Sequence, residues 1–162
     1  MNYGVAVTVS YCYQWNDLTR QPRDPYDEPT ARERHARGEL YTVLLGDPAS
    51  PHTVVEMRLE AGWVGVHFLD SKLRRWSSYS FGLDDSKHEL FLKQYRRADF
   101  DGAGVQTGTE IITFTPSGLL TVRKVDQKTK MVDQHRVQAD VSKNWEPVPA
   151  FGQYDSIARF DR

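Results

Sequence analysis

Cysteine is almost missing from this chain. One thiol, Cys12, occurs in 162 residues, so no internal disulfide can form and no cysteine-based zinc cage can be built. That usage suits a reducing compartment. The sequence also starts without a basic leader and without an apolar run long enough for a signal peptide or a membrane span, so the expected location is the cytoplasm and no membrane partner is expected. An excess of one charge is missing as well. Lys and Arg number 21 against 22 Asp and Glu, a net charge of -1, and no overall field steers the protein onto nucleic acid or an anionic surface. Catalytic signatures are equally scarce. No serine sits in a G-x-S-x-G elbow, no lysine follows the glycines of "DFDGAGVQTG" as a phosphate loop requires, and no two of the five histidines stand at i, i+2 or i, i+4. No metal and no cofactor is expected.

What is present is aromatic residues, at 12%, with a charged fraction of 27%. That is enough large apolar surface for a core in a chain of one-domain size, and residues 1–162 are expected to form a single domain. Alternation is the strongest pattern. From Tyr3 to Trp15 every odd position is apolar or aromatic and the even ones are small or polar. This predicts one long strand with Tyr11, Tyr13 and Trp15 on the core face and Cys12 on the other. Residues 16–28 then carry Pro22 and Pro25 among charged side chains and lead to Pro29. Proline removes donors and fixes φ, so the reading is an irregular surface loop. Thr30 and Glu33 have capping-box spacing, and Ala36, Leu40, Val43 and Leu44 recur at helical intervals. They predict a helix near residues 30–45, with Gly38 inside it and Gly46 as its stop.

Period two returns in "HTVVEMRLEAGWVGVHFLD". A two-residue loop at Ala61 and Gly62 sets Leu59 opposite Val64, Met57 opposite Val66 and Val55 opposite Phe68, and it places Glu56 opposite His67 on the other face. Leu73 to Phe81 reads as a further strand. Residues 83–100 fit a capped helix or a strand, and the strand-like flanks favour the strand. The glycine-rich "DFDGAGVQTG" reads as a mobile connector. "EIITFTPSGLLTVRKV" is a hairpin turning at Pro116 and Gly118, Lys130 to Val141 returns as a strand, and "NWEPVPAFGQYDSIARF" is an aromatic tail laid over the core. The sum is an α+β, mainly β fold: a single curved antiparallel sheet of seven to nine strands, strongly bent or partly closed into a barrel, with one packed helix.

Few residues remain to carry chemistry. His52, Glu56 and His67 can converge on one face as ligands or as an acid/base pair, or simply as a cross-strand ion pair. Cys12 has no base near it in sequence, which fits a small residue on a packed or partner-facing sheet face better than a nucleophile. Arg74, Arg75, Arg96 and Arg97, with Trp76 and Tyr95, have the composition of a single-strand platform, but the balanced charge argues against nucleic acid as the partner.

Trp, Tyr and Arg on strand ends and loops, without a catalytic constellation, are the composition of a protein recognition surface. The expected function is therefore a non-enzymatic protein-binding module. Its most concrete form is a bacterial inhibitor that neutralises a toxin or effector enzyme by occlusion, as an immunity protein does. The expected contact residues are Cys12, Trp15, Arg20, Arg23, Asp24, Tyr26, Asp27, Arg74 and Trp76. Two other readings stand beside it. One is a curved sheet enclosing a small ligand, with Glu56, His67, Trp63 and Trp76 at its mouth. The other is an enzyme using His67 with Glu56 in acid-base work.

Overall fold

The computed structural model describes residues 7–162, so Tyr3 and Val5, the first members of the expected long strand, lie outside the described residues. The chain runs through β1 (Val9–Asn16), β2 (Gln21–Tyr26), α1 (Glu28–Arg37), β3 (Tyr41–Asp47), β4 (Ser50–Arg58), β5 (Trp63–Leu69), β6 (Arg75–Asp84), β7 (Glu89–Phe100), β8 (Gln106–Phe114), β9 (Leu119–Asp126), β10 (Val132–Gln138), β11 (Trp145–Pro147) and α2 (Asp155–Ala158). Ten strands lie side by side in the order β10-β9-β8-β7-β6-β5-β4-β3-β1-β2, and β11 joins β7 off that path. The pairings are antiparallel, as short connections dictate. The architecture is mainly β, but the eleven strands exceed the expected seven to nine, a second short helix is present, and the sheet does not close: β10 and β2 are separate edges.

The helix is shorter than its apolar spacing predicts. Asp27 is its cap, accepting from the Thr30 N–H at 2.9 Å, and proline stands in the first turn, where its missing donor is not needed. Gly38, at φ 71°, ends it in the left-handed region, with the Glu39 N–H donating to the Arg34 carbonyl at 2.9 Å. Leu40 therefore falls in the connection, and Val43 and Leu44 in β3. Their helical spacing is a coincidence that the αL preference of glycine overrides.

The expected proline loop is also corrected. Residues 21–26 form an edge strand, with Pro22 opposite Trp15 and Pro25 opposite Cys12. An edge has one unpaired side, and there a missing donor does no harm. A third correction concerns the 50s hairpin. A single 3₁₀ turn, Leu59–Ala61 closed by Gly62 at φ 64°, replaces the two-residue loop. It slides the register by two, so that Met57 opposes Val64, Val55 opposes Val66 and Glu56 opposes Gly65. A two-residue slide keeps every side chain on its face. Residues 89–100 are strand, and "DFDGAGVQTG" is a compact turn in which the Asp101 carboxylate accepts from the Ala103 and Val105 N–H groups, both at 2.9 Å.

The two faces of the sheet bury different things. Tyr41, Val43, Val55, Met57, Val64, Val66 and Phe81 form the main core, covered by Ala31 of α1 and by Tyr154 and Ile157 of the C-terminal tail. The other face holds a smaller cluster of Cys12, Trp15, Leu44, Val54 and Leu69. Alternation puts Trp15 with Tyr11, yet it packs with Cys12. Asp24, at φ 47°, stands across from Tyr13 between the Cys12–Pro25 and Gln14–Arg23 pairs, whose register is the same on both sides. Beyond β7 both covers run out, and all seven residues of β10 are exposed. Among the described residues no helix is long and apolar enough to cross a membrane.

Candidate functional site

Glu56 and His67 both point to the second face, offset by one residue pair. His67 Nε2 lies 3.7 Å from Glu56 Oε2, too far for a hydrogen bond, while His67 Nδ1 and Ser78 Oγ are 2.9 Å apart. Arg75 Nη2 donates to Glu56 Oε1 at 3.0 Å, and Arg75 Nε donates to Asp17 at 2.7 Å. These residues form a line, His67–Glu56–Arg75–Asp17, running from the buried face to the surface, with Glu56 and His67 each only 8% exposed. Burial pushes the Glu56 carboxyl up. His67 and Arg75 outweigh that, and the net direction is down. An ionised, doubly partnered carboxylate is an anchor and a weak base.

Gly65 makes this arrangement possible. A Cβ there would come within 2.5 Å of the Trp63 ring and 3.0 Å of His67 Nε2. Its absence lets the indole lie along the sheet and donate Nε1–H to Ser80 Oγ at 3.0 Å. The concavity beside it, bordered by His67, Ser78, Gln94 and Arg96, measures about 170 Å³, below the roughly 300–1,000 Å³ usual for small-molecule sites.

The outer end of the line is the β1–β2 turn. Asn16 Oδ1 accepts from the Leu18 and Thr19 N–H groups at 3.0 and 3.1 Å, and the Arg20 N–H closes the turn on the Asn16 carbonyl at 2.7 Å. Asp17, within the turn, is tied to Arg75. A braced turn thus presents Leu18, which is 95% exposed. Beside it lies a depression of about 240 Å³ lined by Asp17, Arg20, Leu73, Arg74, Arg75 and Arg96. Arg74 Nε donates to Asp70 at 2.8 Å, and its guanidinium sits 4.2 Å from the Phe100 ring centroid. Arg20 and Arg96 form no ion pair among the described residues. Four guanidinium groups gather here against the carboxylates of Asp17, Asp70 and Glu56.

The expected contact residues separate into two groups. Cys12 is fully buried, and burial first, then the nearby Glu56 charge, push its thiol up to about 12. Trp15 is buried beside it. Tyr26 is half-buried, with the Arg34 guanidinium 5.0 Å from its ring. Asp27 caps the helix, and its hydrogen bonds from Thr30 hold its carboxyl below the usual range. Trp76 lies on the opposite face, 5.1 Å from Phe160. Of these five, Cys12 and Trp15 are closed to solvent, Tyr26 and Trp76 are half-buried, and Asp27 is exposed at the helix cap. Arg20 and Arg74 come together in the depression, while Arg23 and Asp24 lie exposed along β2, Arg23 over Tyr13 at 5.8 Å. Arg97 points away from Arg96 and pairs with Asp99 at 3.4 Å, so the expected four-arginine patch loses one member.

Leu18 and Asp17 are not among the residues the sequence singles out, whereas Arg96 is, as a member of the arginine platform. Asn16 followed by a lone leucine between polar residues is the local signal of an Asx turn with an apolar tip. His52 is exposed and bonds its neighbour, His52 Nδ1 and Thr53 Oγ1 being 2.8 Å apart. No group of three or more His, Cys, Asp or Glu that could hold a metal occurs among the described residues. The chain matches no protein-family model, no curated protein and no solved structure in comparisons with each.

Proposed function

We propose that the protein is a non-enzymatic module that binds another protein through the β1–β2 tip, with Leu18 as the anchor and Arg20, Arg74 and Arg96 as its charged surround. The observation that carries this is Leu18 itself. A leucine almost wholly in water adds nothing to the core of the free protein, and here the turn holding it is fixed by Asn16, Arg20 and the Asp17–Arg75 pair. A pre-ordered apolar side chain loses little entropy on docking, which is how a small contact becomes a strong one. The surrounding arginines suit an acidic rim around an apolar socket. In its most concrete form the partner is a toxin or effector enzyme whose working site this tip covers.

The other two readings have less support. The concavities beside Trp63, His67 and the arginines are open and small, and Glu56 is committed to Arg75.

The test compares wild type with Leu18→Asp as baits in the source cell. A stoichiometric partner recovered with the wild type and lost with the variant, at an unchanged unfolding midpoint, supports the reading. Equal recovery with both baits, or no stoichiometric partner at all, ends it. Arg96→Glu should lower the association rate more than it raises dissociation, and more so at low salt.

A further inference from the structure

The two edges of the sheet are built differently. β2 carries Pro22 and Pro25, and Arg20 and Asp24 stand at φ 55° and 47°, devices that keep a further strand from adding. β10 has none of them. Its residues, VDQHRVQ, pair with β9 in an unbroken register from Val132–Val125 to Gln138–Leu119. No proline, glycine, lysine or left-handed residue interrupts it, and among the described residues no strand pairs with its outer side. A regular, bare edge of this kind is a template for another strand.

We propose that a second copy of this chain occupies that edge, β10 pairing antiparallel with β10 about a two-fold axis through Gln134, so that the two sheets become one. The choice of occupant and register rests on self-complementarity. An axis perpendicular to the sheet keeps each face continuous, so opposed residues must share a face, and the allowed registers are those centred on a residue. Centred on Gln134, Asp133 opposes His135 of the second copy, Met131 opposes Val137, and Gln134 opposes itself.

These pairs complete rows that one chain leaves open. Phe114–Leu120–Val137 is an apolar row across three strands whose last member is 40% exposed, and Met131 of the second copy, 71% exposed in the free chain, extends it. Arg97–Glu110–Lys124–Asp133 alternates in sign across four strands, with Lys124 and Glu110 3.2 Å apart; Asp133 lies 4.0 Å from the imidazole of its own His135, and the second copy's His135 offers it a further hydrogen-bond partner at the open end of the row. Val132 opposes Arg136 of the second copy in this register, so one charged side chain faces an apolar one on each side of the axis. The neighbouring registers keep neither the Asp133–His135 nor the Met131–Val137 pair: centring on Asp133 or Arg136 sets a charge against its own copy, and centring on His135 sets the imidazole against itself and Asp133 against Val137.

The surface lies at the other end of the strand order from Leu18 and is independent of the function proposed above. Leu18→Asp should leave the dimer intact, so the two readings fail separately. The register is tested with Gln134→Cys under mild oxidation, with Arg136→Cys and His135→Cys as controls. On the axis, the two Cα atoms at position 134 are about 4.5–5.5 Å apart, within disulfide reach, while those at position 136 are about 14 Å apart. Cys12, fully buried, does not compete.

The expected result is a covalent dimer from Gln134→Cys and none from Arg136→Cys. Sedimentation of the wild type should show a monomer–dimer equilibrium whose dissociation constant rises about tenfold in Asp133→Lys, an exposed change that leaves the circular dichroism unaltered. A chain monomeric at every concentration overturns the proposal. So does efficient cross-linking at position 135 or 136 in preference to 134, or an Asp133→Lys dimer as tight as the wild type.

Discussion

Cys12 and Glu56 occupy the same face of the sheet, and their environments give each an opposite charge preference. The Cys12 thiol, pushed up to about 12 by burial and then by the Glu56 charge, is almost wholly protonated near neutrality and closed to solvent. A thiol-specific reagent should leave the native protein unlabelled and react fully once urea unfolds it. Labelling of the native protein at the rate of a free thiol would contradict the buried cluster. Glu56 is held down, because His67 and Arg75 outweigh the burial that pushes it up. A depressed folded value gives stability that is present above the ordinary carboxyl range, about 4.3, and lost as pH falls through the folded value. Glu56→Gln should therefore lower stability at neutral pH by about 1–3 kcal/mol, since it leaves Arg75 and His67 with less compensation. It should also flatten the acid limb of a urea-midpoint against pH curve, and an acid limb as steep as that of the wild type would remove Glu56 from this role.

Glycine decides two elements. Gly38 ends α1 with a left-handed φ, and a Cβ added there would meet the Glu60 backbone N at 2.9 Å. Gly38→Ala should thus cost about 1–3 kcal/mol in chemical unfolding, from strain at a special φ together with a backbone clash. Gly65→Ala should instead displace the Trp63 indole from Ser80, read as a shift in tryptophan emission with a smaller stability loss, because the obstructing ring can swing outward. The same elements explain what could be read in the sequence. Face assignment was legible wherever alternation is uninterrupted: Val55 and Met57 against Val64 and Val66 share the core face as expected, even though the register slid by two. Element ends were less legible, since Leu40, Val43 and Leu44 keep helical spacing after the chain has left the helix, and prolines at positions 22 and 25 look the same in a loop as on an edge strand. That Trp15 packs with Cys12 and not with Tyr11 is not announced by the alternation of β1.

Across the molecule, the sheet is longer than the layers that cover it. α1 lies over β1 and β3 toward the β2 edge, the tail packs on the same core, and β9 and β10 project past both. The antiparallel, mainly β character was legible because local turns impose it. Closure was not, since it depends on whether β10 reaches β2, a pairing with no local signature. The candidate site follows the same division. Glu56 and His67 could be put on one face from alternation, while Asp17 and Arg75, 58 positions apart in the chain, come together only in the folded protein.

The prolines of β2 have a consequence for growth. A sheet with two welcoming edges would add copy after copy and lengthen into a filament. With β10 consumed by its own mate and β2 refusing newcomers, growth stops at two, and the prolines act as chain terminators. Replacing Pro22 and Pro25 by valine, with Asp24→Gly to relieve the left-handed residue, should release that stop. Light scattering that climbs with time in the triple variant, and stays flat when Asp133→Lys is added, would trace the filament to both edges.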